Sequence, residues 1–269
     1  MRRIGGYSGG HTSALGAIEV ACRYGAKNCV LLNHDIPERV EDTDIKRFKR
    51  QVAEFIGVPI TFANHSNPHF DQFDVCVSAK AFKVGRGTEL CTHRLKTEPF
   101  DRWLDANSPP GRDVIYYGFD ANEMHRVQRR SSILSSRGYR SDYPLALWAP
   151  STRVLVATED IGIHRPGSYG VFKHGNCIGC LKAGWQHWYV VYCTRPDIWV
   201  KAKESEETIG YSIHSDEYLV DMEPRFNEMR AAGVLPTERS PPQKFWADAR
   251  RVIKIHEVSE GEKPCECST

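Results

Sequence analysis

The sequence predicts an α/β fold: a parallel, twisted sheet with helices on both faces, followed by a mainly helical C-terminal region. Three observations predict it. Short apolar runs bounded by glycine, proline or asparagine alternate with amphipathic stretches between Arg2 and Asp120. The alternation runs strand, helix, strand, helix, strand, which is the order that parallel strands with right-handed crossovers require. After residue 140, helical spacing dominates.

Taken in order, "RRIGGY" is a short, weak strand, and "TSALGAIEVACRY" places Ala14, Leu15, Ile18, Ala21 and Cys22 at helical spacing with Gly25 as the stop. "NCVLLNHD" reads as a buried strand. Asp42 or Thr43 opens a helix through "IKRFKRQVAEFIG" that ends at Gly57, and "VPITFAN" is the third strand. Residues 64–90 read as a loop with one short helix. "CTHRLKTEPFDRWLDAN" is helical with Pro99 as a candidate break, and "RDVIYYGFD" after Pro109-Pro110-Gly111 is a strand. Two parts are expected, 1–140 and 141–269. In the second, "YPLALW" reads as a short strand or a turn, "TRVLVATEDIGI" as a helix, "WQHWYVVYCTRPDIWVKAKESEETIG" as a helical pair interrupted at Pro196, and "PPQKFWADARRVIKIHE" as a last helix before the polar tail "KPCECST".

Composition narrows the function classes. A chain of 269 residues, 41% hydrophobic and 26% charged, can build one large domain or a core domain with an appendage. No run approaches the roughly 18 apolar residues of a membrane span. Met1-Arg2-Arg3 leads into glycines instead of the apolar stretch of a signal peptide, so a cytoplasmic protein without a membrane partner is expected. Lys and Arg (36) nearly cancel Asp and Glu (34), so a nucleic-acid partner has to be argued from local patches. Nine cysteines without an export signal point to metal, cluster or redox chemistry before disulfides. Cys22, Cys29 and Cys76, each alone among apolar neighbours, read as small buried hydrophobes.

Between the first strand and the first helix stands Ser8-Gly9-Gly10-His11-Thr12-Ser13. Glycines let the main chain approach an anion, and the helix N-terminus adds partial positive charge, so the loop can hold a phosphate. It lacks the Gly-Lys-Ser/Thr of a Walker loop and the three glycines of a dinucleotide fingerprint, and a Gly-Gly turn also serves purely structural ends. Cys177-Ile178-Gly179-Cys180 is the strongest metal signal: two thiolates three apart on a turn can chelate one ion or two irons of a cluster, with a redox dithiol as the competing chemistry. A zinc ribbon would need a second such pair, which the sequence does not contain.

In order along the chain, "SGGHTS", "CTHRLKTEPFDRWL", "YYGFDANEMHR", "YPLALW" and "GNCIGC" resemble the adenine nucleotide alpha hydrolase (PP-loop) superfamily. Within it, they resemble the phosphoadenosine phosphosulfate (PAPS) reductase-like branch, of the kind often carried by phages and mobile elements. The resemblance implies a Rossmann-like sheet whose first loop holds ATP or an adenylyl sulfate. Ser8, Gly9, Gly10 and Ser13 are the implied phosphate ligands, and Asn33 and Asp35 lie where the second strand meets the nucleoside. His11 stands where Lys is frequent and Thr12 where ATP-using members carry Asp. A hydroxyl is a poorer ligand than a carboxylate for Mg2+, so the loop fits nucleotide binding without adenylation.

The resemblance also implies that Cys91 joins Cys177 and Cys180 as metal ligands of a 4Fe-4S cluster. The fourth iron is then open, or bound by Cys193, Cys265 or Cys267. Glu266-Cys267 matches the start of the reductases' catalytic Glu-Cys-Gly-Leu-His segment and makes Cys267 the candidate nucleophile; the tail also reads as a solvated chain end. Five arginines (Arg126, Arg129, Arg130, Arg137, Arg140) follow Glu123 with no acid before Asp142. By resemblance Arg126 and Arg129 lie near the nucleotide, with Lys96 a second cation of the same kind; the run also reads as a lid on a nucleic-acid backbone or a solvated face. Trp185, Trp188, Tyr189 and Tyr192 recur at helical spacing and read as core packing.

The expected protein is an iron-sulfur-dependent enzyme of PAPS reductase-like type, an oxidoreductase or sulfurtransferase binding an adenine nucleotide, and a homodimer is compatible with it. One alternative is an ATP-dependent enzyme that thiolates or otherwise modifies tRNA or DNA. The other is a nucleotide sensor with structural zinc and no catalysis.

Overall fold

Five short strands pair edge to edge in parallel: β1 (Arg3–Gly6), β2 (Cys29–Asn33), β3 (Ile60–Phe62), then, after an intervening hairpin of β4 (Lys83–Val84) and β5 (Thr88–Glu89), β6 (Val114–Tyr117) and β7 (Arg140–Asp142). The computed structural model describes residues 1–64, 70–84, 88–173, 175, 177–214 and 217–261, the side chains of residues 88 and 256–261 excepted. The sheet order is β3-β2-β1-β6-β7. Ile4 of β1 is in register with Val30 on one side and Ile115 on the other.

Alternation along each strand sends neighbouring side chains to opposite faces, and two cores result. Leu31 packs with Ala14, Ala17 and Ile18 of α1 (His11–Tyr24) and with Phe48, Val52 and Ile56 of α2 (Thr43–Ile56). Leu32, Ile4 and Ile115 pack on the other face with Phe100, Leu104, Leu134 and Tyr139. The sheet is therefore flanked by helices on both faces. Asp42 caps α2, accepting the Asp44 N–H at 2.8 Å, and Gly57 closes it in the left-handed region at φ 74°.

Between β3 and β6 the chain forms α3 (Gln72–Ala79), the hairpin, and one continuous helix: α4 (Leu90–Thr92), a π-helical turn (His93–Thr97) and α5 (Glu98–Asn107). Pro99 does not break this helix; it falls in the first turn of α5, directly after the wider turn, where its missing N–H is tolerated. α6 (Met124–Ser136) precedes β7, a polar Arg-Ser-Asp strand that carries the sheet past residue 140.

Two expectations fail here. "YPLALW" is the one-turn helix α7 (Pro144–Leu147), with Pro144 in its first turn. "TRVLVATEDIGI" is irregular and holds only a 3-10 turn, Thr158–Ile161. Its valines bury no face, since Val154 and Val156 are 51% and 80% exposed. Its main-chain donors go instead to side chains of α1: Val154 N–H to Glu19 Oε1 at 2.6 Å and Thr158 N–H to His11 Nε2 at 3.3 Å.

The chain divides into two compact units. The first contains Met1–Val75, Lys83–Tyr169 and His174–Cys177; the second contains Cys76–Phe82, Gly170–Lys173 and the chain from Ile178 on. In the second, α8 (Trp185–Thr194), α9 (Pro196–Ile209), α10 (Leu219–Ala231) and α11 (Pro242–Gly261) enclose Trp188, Tyr189, Trp199, Phe226 and Phe245. Trp188 and Tyr189 are fully buried, as their helical spacing predicts. Pro196 sits at the start of α9 and separates it from α8. Among the described residues, no helix is long and apolar enough to cross a membrane.

Candidate functional site

β2 lies on one side of β1 and β6 on the other, so the loop that follows β1, residues 7–10, leaves the sheet where the strand order reverses. Open parallel sheets bind ligands there, outside the carboxyl ends of the strands. Gly9 is left-handed (φ 84°), and a Cβ on it would lie 2.4 Å from Lys49 Cε, so neither conformation nor space admits a side chain. Gly10 starts α1 without a side-chain cap, and no acid stands in the first turn. The first N–H groups of the helix and its dipole therefore make this end attractive to an anion. Ser8 Oγ lies 3.1 Å from Ser13 Oγ, which donates to Gly10 O at 2.7 Å. Thr12 is exposed.

The loop after β6 presses on the same helical turn: a Cβ on Gly118 would lie 2.3 Å from Thr12 O and 2.6 Å from Ser13 Cα. The Tyr169 hydroxyl accepts the His11 N–H at 3.2 Å. The His11 ring is engaged by the chain beyond residue 157, with Nε2 accepting from the Thr158 N–H at 3.3 Å and Glu159 Oε2 3.9 Å distant. Burial and then the Arg165 charge lower its pKa against the pull of Glu159, so the ring is held as the neutral acceptor that this bond needs.

A buried network supports the loop from below. The Tyr7 hydroxyl donates to Lys49 O at 3.2 Å, and Lys49 Nζ reaches both Glu41 oxygens at 2.7 and 2.8 Å and Asn33 Oδ1 at 3.3 Å. Asn33 Nδ2 donates to Tyr7 O. Asn33 is only 2% exposed, so its amide braces the loop instead of lining a rim. Burial lowers the Lys49 pKa, opposed by Glu41. Asp35 stands at the edge: its carboxylate takes Lys46 Nζ at 2.8 Å, and its main chain exchanges two 2.7 Å bonds with the Asn64 amide.

His34, which sequence reasoning passed over, is the first residue beyond β2. Its Nε2 is buried with no hydrogen-bond partner among the described residues. Burial and the Lys96 charge, with Lys49 a smaller contributor, hold its pKa down to about 4, against a bond to the Lys96 main chain. Lys96 itself lies in the π-helical turn. The only signal in the sequence is position: a polar residue at the carboxyl end of a central strand.

The arginine run is divided among several duties. Arg126 pairs with Glu123 and lies 4.2 Å over the Phe119 ring, which stacks on Tyr117 at 5.4 Å. Arg130 lies over Tyr117, Arg137 pairs with Asp101 and Asp105, and Arg140 donates to Gly111 O at 2.8 Å. Arg129 is exposed on α6.

Of the predicted metal ligands, Cys91 and Cys177 belong to the first unit and Cys180 to the second, each half-buried. Among the described residues, no group of three His, Cys, Asp or Glu is arranged to hold a metal ion. Gly179 is left-handed (φ 72°), and its N–H and that of Cys180 donate to His187 Nε2 at 3.1 and 3.3 Å. His187 Nδ1 is 2.8 Å from Glu238 Oε1, which fixes the proton on Nδ1. The Cys193 thiol bonds Tyr189 inside the helical unit, and burial raises its pKa. Cys265 and Cys267 lie outside the described residues. No family model and no curated protein matches the chain.

Proposed function

We propose that the switch-point loop binds the phosphates of an adenine nucleotide, ATP or an adenylyl sulfate, and that the chain is a Rossmann-like enzyme of sulfur chemistry related to the PAPS reductases. The observation that carries this reading is the coincidence of a left-handed Gly9, an uncapped and acid-free start of α1, and the point where the strand order reverses. Main-chain N–H groups of the first turn of α1 donate to phosphate oxygens, joined by the Ser8 and Ser13 hydroxyls once these rotate away from Ser13 Oγ and Gly10 O. Lys96, Arg126 and Arg129 add positive charge, and Asp35 stands at the nucleoside edge. Thr12, a hydroxyl in place of a carboxylate, favours a nucleotide that is held over one that is adenylated, and so favours sulfonucleotide reduction or sulfur transfer over ATP-dependent modification of tRNA or DNA.

Cys91, Cys177 and Cys180 are the proposed ligands of a 4Fe-4S cluster, which when bound supplies an electron carrier or an iron able to hold sulfide. Each of the three residues is half-buried, and the nucleotide reading stands independently of them. In the reductase form, the Cys267 thiolate attacks the sulfur of the bound sulfonucleotide, the adenine nucleotide leaves, and an external dithiol then frees sulfite.

Anaerobic purification tests the cluster: brown protein with about four irons per chain is expected, and colourless protein with a single zinc removes it. Turnover separates the chemistries. Sulfite released from an adenylyl sulfate supports the reductase. Pyrophosphate released from ATP only when tRNA or DNA is added supports the modification enzyme instead.

A further inference from the structure

We propose that His34 reads the nucleoside: its Nε2 accepts a hydrogen bond from an N–H or O–H donor of the ligand whose phosphates lie on the loop of residues 8–13. The inference rests on the nucleotide reading above and assigns a residue to ligand selection.

Three observations carry it. His34 is the first residue past β2, the strand beside β1, and so belongs to the carboxyl edge of the sheet from which the phosphate loop also leaves. Alternation along β2 turns Leu31 and Asn33 to the α1–α2 face, and Leu32 and His34 to the face that carries α5. There the imidazole meets the main chain of Lys96 in the π-helical turn, a helix irregularity found often at ligand sites. Finally, Nε2 is buried with no partner among the described residues, whereas the polar groups around it are engaged: Asn33 and Lys49 with each other and with Tyr7 and Glu41, and Asp35 with Lys46 and Asn64.

A buried acceptor left unmade is costly, and the group that relieves it must be a donor. Burial first, and then the Lys96 and Lys49 charges, keep the ring neutral; because Nε2 has no partner among the described residues, the ring N–H that bonds the Lys96 main chain is Nδ1–H, so Nε2 offers a lone pair and not a proton. An acceptor flanked by these two cations disfavours a further ammonium and selects a neutral donor. On a nucleotide, that donor is the exocyclic amine of the base or a hydroxyl of the ribose.

Calorimetric titration of the purified full chain with ATP, ITP, 2′-deoxyATP, 3′-deoxyATP and inorganic pyrophosphate tests this, repeated with His34→Phe and His34→Asn after thermal melts confirm that each variant folds. The wild type should discriminate against one analogue by about tenfold or more: ITP if the amine is read, a deoxynucleotide if a hydroxyl is. His34→Phe should abolish that discrimination while leaving pyrophosphate affinity within about twofold, because the phosphate donors are untouched; His34→Asn, which keeps an acceptor, should retain part of it. The inference is overturned if the wild type binds ATP without discriminating among the analogues, or if His34→Phe discriminates as the wild type does. Failure of the wild type to bind ATP or pyrophosphate would instead overturn the nucleotide reading itself.

Discussion

Gly9 combines a backbone conformation that L side chains rarely adopt with a stem of Lys49 where its Cβ would be. Gly9→Ala should cost about 1–3 kcal/mol of stability and weaken nucleotide binding, since the loop must shift to relieve both strains; denaturant melts and ATP titrations indistinguishable from wild type would contradict this. His34 makes a second prediction, in pH. The unfolded chain takes up its proton near pH 6.5, the folded chain only near pH 4. Between these values the unfolded state binds more protons, so stability falls as pH drops from 6.5 toward 4, by on the order of 3 kcal/mol from this group. The difference between wild type and His34→Phe in urea midpoints, measured at pH 7, 5 and 4, isolates it, and a pH-independent difference would refute it. Of these residues, Gly9 is legible in the sequence because glycine before a helix is a local signal. His34, Lys49 and Tyr169 are not, because their roles depend on strand order and on partners far along the chain.

At the scale of elements, caps and stops are the legible part. Asp42 and Gly57 bound α2, Gly25 follows α1, and Pro196 opens α9, each through backbone chemistry written within one turn. β7 is illegible because Arg-Ser-Asp carries no apolar alternation, and residues 152–163 depart from the expected helix because Leu155, Ile161 and Ile163 pack on the α1–α2 core while main-chain N–H groups of Val154 and Thr158 are taken by side chains of α1. Asp42→Ala should cost about 1 kcal/mol through loss of the cap, checked by urea unfolding. Glu206 has the larger role: buried on α9, it accepts the Ile213 N–H and the Leu219 N–H, each at 2.8 Å, and so joins the end of one helix to the start of the next. Glu206→Ala strands both donors and should cost about 2–4 kcal/mol, with Glu206→Gln losing less. Equal losses for the two variants would show that the carboxylate's acceptor role is not what matters.

Over the whole molecule, each unit carries its own core, the first between sheet and helices and the second among aromatic side chains of α8–α11. On the proposed function, a nucleotide on the switch-point loop stabilises the state that binds it, by about 2.7 kcal/mol at a hundredfold excess over Kd. Hydrogen exchange should therefore slow in β1, in the first turns of α1 and in β6 when ATP is added, with α8–α11 unchanged; protection confined to α8–α11 would place the ligand elsewhere.

Gly118 gives this architecture a historical dimension. Its missing side chain lets the loop after β6 touch the main chain of Thr12 and Ser13, so the position of the proposed phosphate cradle is set by a residue that offers a ligand nothing. Selection acting on ligand choice can rewrite Thr12 or His34 one substitution at a time. Any side chain at 118 would dislodge the start of α1, whatever the ligand. Among descendants of this chain, the choice of any ligand held at this loop should therefore drift sooner than the glycine that no ligand touches.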